Sequence, residues 1–297
     1  ANPLVTVLGP PEGGARRLNF AQSFNPLGSI AGILIGRDFI FNGVEHTPGQ
    51  LAAMTPAARH AYFVSQSMTV QTPYVVIACV VIVFAAMIAI VRFPAHGEDA
   101  TDRASGARHF GRLLRNRHFL SAVAAQFFYV GAQVGVWSYL IRYCQGTIPG
   151  TPERRAADYL MASLVLFTLG RFAGTALMRV IAPRKLLALF AVVNVVLCAI
   201  GVALPGFPGL YALVLASFFM SVMYPTIFAL GVDGFSDSDR KLGASLLVMA
   251  IIGGAVLTAL TGAVSDMAGI ARAMLVPLGC FAAVLLFAVQ RARSQLA

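Results

Sequence analysis

The sequence QFFYVGAQVGVW, residues 126 to 137, lies inside an apolar run from 118 to 143 that is long enough to cross a bilayer as one helix. Gln126, Tyr129, Gln133 and Trp137 recur every three or four residues, so their side chains share one helical face. An unpaired amide in hydrocarbon costs several kcal/mol, so this face must lie against other helices or a water-filled cavity. The run alone leaves two interpretations open, hydrogen bonding between helices and ligand binding.

The composition of the whole chain is that of a membrane protein. Hydrophobic residues make up 58% of the 297 residues, charged residues only 11%, and the mean hydropathy is +0.77. Soluble domains carry about 25% charged residues. The net charge of +10 does not predict a nucleic-acid partner, because the basic residues lie in short loops between apolar runs rather than on one folded face. We predict an all-α, polytopic membrane protein.

Signatures of catalysis or of metal and cofactor binding are not found. The 4 cysteines are far apart, each in or at the end of an apolar run, and the 5 histidines fall in or beside polar connections. Serine-nucleophile motifs, nucleotide-binding loops and zinc-helix motifs are absent from the sequence. We therefore expect no enzyme activity, no cofactor and no metal site.

Apolar runs of about 20 residues predict the membrane spans. The short run 1–9 is interpreted as the end of a helix whose beginning is missing, so the chain is expected to be N-terminally truncated. We predict a remnant of an N-terminal helical bundle at 1–92, a basic cytoplasmic linker at 93–117 and a six-helix bundle at 118–297. The predicted spans are 19–41, 67–92, 118–143, 157–180, 185–204, 209–231, 242–266 and 271–290.

The distribution of basic residues predicts the orientation. Alternating the spans divides the connections into two sets, and one set holds most of the 22 Lys and Arg residues. Connections of the other set hold only Arg59, Arg154, Arg155 and Arg272. The positive-inside rule therefore predicts that the basic set faces the cytoplasm. That set consists of loops 10–18, 93–117, 179–185 and 232–241 and the C-terminus.

Several stretches along the chain together resemble one family. These stretches are NPLVTVLGPPEGGARRLNFAQSFNPLGS at 2–29, AQFFYVGAQVGVWSYLIRY at 125–143, GRFAGT at 170–175, MYPTIFALG at 223–231 and VMAIIGGAVLTALTGAVSDMAG at 248–269. With them the chain resembles the fucose–galactose–glucose:proton symporters of the major facilitator superfamily, and the resemblance extends over essentially all of it.

The resemblance implies twelve helices, of which this chain would begin late in the fourth. It also implies two proton-coupling acids, in helices one and four, that would lie before Asn2-Pro3 and are not present in these residues. The 12 acids of the chain agree, since all lie in loops or within about a turn of a span's end. A proton carrier is expected deep in the bundle, where desolvation brings a carboxylate's pKa toward neutrality.

Candidate sugar-binding residues combine amides, hydroxyls and aromatic faces. Besides the four residues of the 126–137 stretch, the candidates include Gln22 and Asn25, which lie one turn apart within the predicted span 19–41. Tyr224 precedes Pro225, which removes a helical hydrogen bond and can break the helix. Helix packing remains the alternative for each of these residues.

Two charged residues receive structural or gating roles. Arg171 lies about two turns before a basic loop, and we expect it to tie helices together. Asp266 lies at the outer end of its span and is expected to be a solvated cap or a gate partner.

The resemblance favours the import of L-fucose or a related hexose with protons by alternating access, by a monomer in the inner membrane. The alternatives are a membrane enzyme acting on lipid-linked sugars and a sugar sensor that does not transport.

Overall fold

Every regular element in the described part of the protein is a helix. The computed structural model describes residues 13–25, 28, 30–32, 48–90 and 110–293. In chain order the helices are α1 (Gly14–Gln22), α2 (Pro48–Ala53), α3 (Pro56–Ile90), α4 (Arg117–Thr147), α5 (Glu153–Leu177), α6 (Pro183–Ala203), α7 (Phe207–Met220), α8 (Met223–Gly231), α9 (Asp237–Met249), α10 (Gly253–Ala268), α11 (Ile270–Ala273) and α12 (Leu275–Arg293). A short helical segment at 110–115 precedes α4.

The last six predicted spans are confirmed. Within the described residues, six helices are long and apolar enough to cross a membrane. Three of these spans consist of two helices each, α7 with α8, α9 with α10 and α11 with α12. Their bounds are Arg117–Thr147, Glu153–Leu177, Pro183–Ala203, Phe207–Gly231, Asp239–Ala268 and Ile270–Gln290.

The described residues form two compact units. The first contains α1 and all helices from residue 110 onward, and the second contains α2 and α3. In the second unit, α3 has 35 residues, with its apolar part at Tyr74–Met87, and covers most of the predicted span 67–92. Residues 1–9, most of the span 19–41 and most of the linker 93–117 lie outside the described residues. The predicted domain boundaries stay a prediction.

Helix α4 occupies the centre of the first unit, where it packs against α5, α8, α10 and α12. Close approach to α10 requires glycine. A Cβ at Gly253 would lie 2.1 Å from the carbonyl oxygen of Phe127, well inside van der Waals contact. The two helices therefore meet backbone to backbone, directly after the 3₁₀ turn Ala250–Ile252 that separates α9 from α10.

The span that carries Tyr224 is also broken. Helix α7 ends at Met220 and α8 begins at Met223, so the break lies at Ser221 and Val222, just before Pro225. Proline lacks an N–H, so the carbonyl of Ser221, four residues earlier, has no helical donor. Gly170 of α5 allows close packing here, because a Cβ on it would lie 2.3 Å from the Phe218 carbonyl oxygen.

The 110–115 segment is fixed to the bundle by an ion pair. Arg112 pairs with Asp239 in the first turn of α9, and Leu113 is buried. The hydrogen bond and the charge of Asp239 raise the pKa of Arg112 above its usual value. Ser236 caps α9, since its hydroxyl accepts from the Asp239 N–H at 3.4 Å. These contacts fix the start of α4 relative to α9.

Candidate functional site

The four side chains of the 126–137 stretch differ in burial. Gln126 and Tyr129, nearer the start of α4, are fully buried, with exposures of 0%. Gln133 and Trp137, one and two turns further along, are half-buried. The face predicted from the spacing therefore has a closed part and an accessible part.

Both aromatic residues of this face donate hydrogen bonds to helix α7. The Tyr129 hydroxyl donates to the Met220 carbonyl oxygen at 2.9 Å, at the last residue before the break. The Trp137 ring N–H donates to the Ser217 hydroxyl at 3.1 Å, and Ser217 in turn pairs with Ser163 of α5. These polar groups serve helix packing, which leaves the aromatic ring faces as the part of each residue suited to a ligand.

The Gln126 amide is the unusual group of the site. Neither its nitrogen nor its oxygen has a hydrogen-bond partner of good geometry, although the Tyr224 hydroxyl lies close enough to interact. The Tyr224 ring is half-buried and lies 6.3 Å from the Tyr129 ring, centroid to centroid. A buried amide without partners costs about 1–3 kcal/mol. A polar ligand that hydrogen-bonds to this amide would explain why it is buried without such a partner.

Helix α1 brings Gln22 to Arg171. The Arg171 Nη1 lies 3.4 Å from both the carbonyl oxygen and the side-chain oxygen of Gln22. Its guanidinium also lies 4.8 Å from the centre of the Phe167 ring. Arg171 thus ties α5 to α1, while Asn25, one turn past Gln22, is exposed. The structure places Gln22, but not Asn25, against the six-span bundle.

Three amide and hydroxyl contacts near the break were not predicted from the sequence. Asn19 of α1 is fully buried and donates to the Thr226 hydroxyl at 3.2 Å. Asn194 of α6 is also fully buried, and its hydrogen-bonding neighbours assign its amide orientation. It donates to the Ala216 carbonyl at 2.9 Å and accepts from the Met220 N–H at 3.2 Å. Single amides within apolar runs were the available signal.

Asp266 lies in the last turn of α10, two residues before the helix ends. Its carboxylate is 3.9 Å from the Arg142 guanidinium, and both side chains are exposed. Arg142 also lies 5.5 Å from the Tyr139 ring centre. An exposed pair of this length contributes little to stability. The pair joins α4 to α10 at one end of the bundle, and Arg142 lies several turns along α4 from Gln126.

The site therefore offers amides, ring faces and hydroxyls around the break in the α7–α8 span. This chemistry suits a neutral, many-hydroxyl ligand such as a sugar. Among the described residues, no three His, Cys, Asp or Glu side chains group as metal ligands would.

Comparison with known proteins identifies the family. No protein-family model matches the chain. The chain is 45% identical over 302 residues to the L-fucose-proton symporter of Escherichia coli K12, covering 100% of this chain and 68% of that relative. The chain belongs to the fucose–galactose–glucose:proton symporter family. A glucose/galactose transporter of Brucella abortus is 34% identical over 295 residues, covering 99% of this chain and 68% of the relative.

Solved structures give the same family and the fold. A crystal structure of the E. coli fucose:proton symporter superposes with a TM-score of 0.82 at 44% identity, covering 98% of this chain and 72% of that one. A crystal structure of the same transporter in the outward conformation gives 0.81 at 45% identity, covering 98% and 71%. The predicted major facilitator fold is confirmed. The relatives are transporters, which also confirms that the protein is a transporter rather than an enzyme.

Proposed function

We propose that the protein imports L-fucose or a related hexose together with protons by alternating access. The identity to an L-fucose-proton symporter over the whole chain carries this proposal. Because glucose/galactose transporters are also among the relatives, the proposed substrates include hexoses as well as 6-deoxyhexoses. The unpaired, buried Gln126 amide beside Tyr224 is the local observation that fits a sugar.

Six of the seven proposed sugar-binding residues lie on three helices, α1, α4 and α8, and the seventh, Asn25, follows the end of α1. The accessible part consists of Gln133 and Trp137, and the closed part is formed around Gln126. Arg171 and Asp266 act on helix positions rather than on the sugar. The full proposed binding set is Gln22, Asn25, Gln126, Tyr129, Gln133, Trp137 and Tyr224.

We assign the protein to the inner membrane as a monomer, with loops 10–18, 93–117, 179–185 and 232–241 and the C-terminus in the cytoplasm. Residues 1–92 contribute to one helical bundle and 118–297 form the other, with 93–117 as the linker. The six described spans and the excess of Lys and Arg in one set of loops support this arrangement.

Uptake in proteoliposomes tests the function directly. The intact protein is reconstituted in vesicles free of other transporters, and uptake of radiolabelled L-fucose is measured with and without an inward proton gradient. Coupled import predicts accumulation above the external concentration only with the gradient, and fucose-dependent alkalinisation of the medium. D-Glucose and D-galactose, added as unlabelled competitors, rank the substrates.

The negative outcomes are distinct. Fucose binding measured by calorimetry without any uptake would favour the sugar sensor. Equal uptake with and without the gradient would show that transport is not coupled to protons.

Ser138→Ala, on the exposed side of α4, serves as the matched control for Trp137→Ala and is expected to transport normally.

A further inference from the structure

We propose that Asn19 and Thr226 form a contact that closes one side of the sugar pathway and must open once in each transport cycle. Neither residue belongs to the proposed binding set, so both are positioning residues. The inference rests on the proposed alternating-access function. It concerns the seam between α1 and the pair α5 and α8.

One face of α1 is buried at this seam. Ala15, Leu18, Asn19 and Gln22 recur at helical spacing and are all buried, whereas Phe20 on another face is exposed. Helix α1 packs against α8 and α5. A nine-residue helix buries only a small apolar area, so the polar contacts contribute a large share of what holds it there.

The polar contacts centre on a single side chain. The Asn19 amide nitrogen donates to the Thr226 hydroxyl at 3.2 Å and to the Ala15 carbonyl at 2.8 Å. The Thr226 hydroxyl donates onward to the Val222 carbonyl at 2.6 Å, at the break in the α7–α8 span. Asn19 therefore links α1 directly to the break that positions Tyr224.

The hydrogen bonding at this seam is incomplete, which lowers the cost of opening it. The Asn19 side-chain oxygen is buried without a partner, and the Arg171–Gln22 contacts are long for hydrogen bonds, at 3.4 Å. A seam with unpaired buried groups is stabilised less than a fully paired one. Because the linker separates α1 from α5 and α8 in the chain, this seam lies between the two proposed bundles. Alternating access requires such a seam to open when the bundles rock.

The position of the seam gives it a direction. Asn19 lies at the beginning of the predicted span 19–41, next to the predicted cytoplasmic loop 10–18. The closed contact therefore blocks the cytoplasmic end of the pathway, and its opening releases the sugar inward.

Thiol accessibility tests the contact. Ser23 is fully buried, and its hydroxyl donates to the Asn19 carbonyl at 2.8 Å. We place Ser23→Cys in a Cys79→Ser background, since Cys79 is exposed and the other three cysteines are buried. The rate of N-ethylmaleimide labelling of the introduced thiol in proteoliposomes reports how often the seam opens.

Two substitutions of matched shape isolate the hydroxyl. Thr226→Val keeps the side-chain shape and removes the acceptor, and we expect labelling about two- to tenfold faster, the effect of losing one net hydrogen bond. Thr226→Ser keeps the hydroxyl and should label at the parent rate. Asn19→Leu removes the contact from the other side and should reproduce the faster labelling, which keeps the test valid if Thr226→Val does not fold.

Equal labelling rates for the parent, Thr226→Val and Asn19→Leu would overturn the proposal. Faster labelling in Thr226→Ser as well would also overturn it, because the hydroxyl would then not be the cause. Thr226→Val should also change the maximal rate of net uptake while leaving the sugar Kd unaltered, and an altered Kd would contradict a positioning role. If the parent protein moves no sugar, the proposed function fails, and the labelling rates still decide whether the seam opens.

Discussion

The two parts of the polar face of α4 carry the same residue types in different surroundings. Each has one amide and one aromatic residue, Gln126 with Tyr129 and Gln133 with Trp137. In both, the aromatic polar group donates to α7. The first pair is sealed inside the protein, with an amide that lacks partners, whereas the second is half-buried.

This difference separates two requirements of a binding site. The accessible part can receive a ligand without a change of structure, and substitution of Gln133 there should act on affinity alone. The closed part bears the cost of an unpaired amide, and substitution of that amide, Gln126, should move stability and affinity in opposite directions. Four predictions test this distinction.

The orientation of the protein in the membrane determines which side the accessible part faces, and thiol labelling tests it with an all-or-none result. Cysteines introduced at Ala53 and Gly150 should react with an impermeant thiol reagent added outside intact cells, while those at Ala104 and Ser238 should react only after permeabilisation. The excess of Lys and Arg in one set of loops is the reason. The inverse pattern would turn the accessible part of α4 toward the cytoplasm.

Gln126→Met should stabilise the protein and weaken sugar binding together. Methionine nearly matches glutamine in shape and removes a buried amide without partners, so the gain is about 2 kcal/mol. A thermal melt in detergent should show a higher Tm, and calorimetry a weaker Kd. A lower Tm would mean that the amide is paired in the membrane, and an unchanged Kd would remove Gln126 from the binding set.

Gln133→Ala should weaken sugar binding at nearly unchanged stability, and Trp137→Ala should weaken binding and also lower the Tm, because it removes the hydrogen bond to Ser217. Loss of one ligand contact costs about 1–2 kcal/mol, which is roughly tenfold in Kd. Calorimetry with L-fucose measures the effect, and Ser138→Ala is the control on the exposed side of the same helix. An affinity equal to the parent's for every transported sugar would assign these residues to helix packing.

Tyr129→Phe should have the smallest effect. It removes the bond to the Met220 carbonyl and keeps the ring, so the loss of stability is about 1 kcal/mol and sugar affinity changes little. The melt of this variant, compared with that of Tyr129→Leu, separates the contribution of the ring from that of the hydroxyl. A large loss of affinity at normal Tm would show that the hydroxyl binds the sugar itself.

Much of the fold follows from the sequence, because a long apolar run can cross a bilayer only as an α-helix. The six spans from Arg117 onward were predicted within a few residues. The shared face of the 126–137 stretch followed from helical spacing. Pro225 indicated a break, which the structure places at Ser221 and Val222.

The remaining site features depend on contacts between distant segments. Asn19 and Thr226 are 207 residues apart, and nothing in either run indicates that the two side chains meet. The 3₁₀ turn before Gly253 lies where α10 meets the backbone of α4, a contact that periodicity does not encode. Burial separates Gln126 from Gln133, and the spacing that predicted both cannot distinguish them.

Sugar protection of a thiol on α4 tests the central claim most directly. Gln133→Cys, in the Cys79→Ser background, is labelled with an impermeant reagent from outside, with and without saturating L-fucose. The account predicts ready labelling that fucose slows several-fold, while L-glucose, which is not expected to bind, has no effect. Labelling at the same rate with and without fucose would contradict a sugar site on this face of α4.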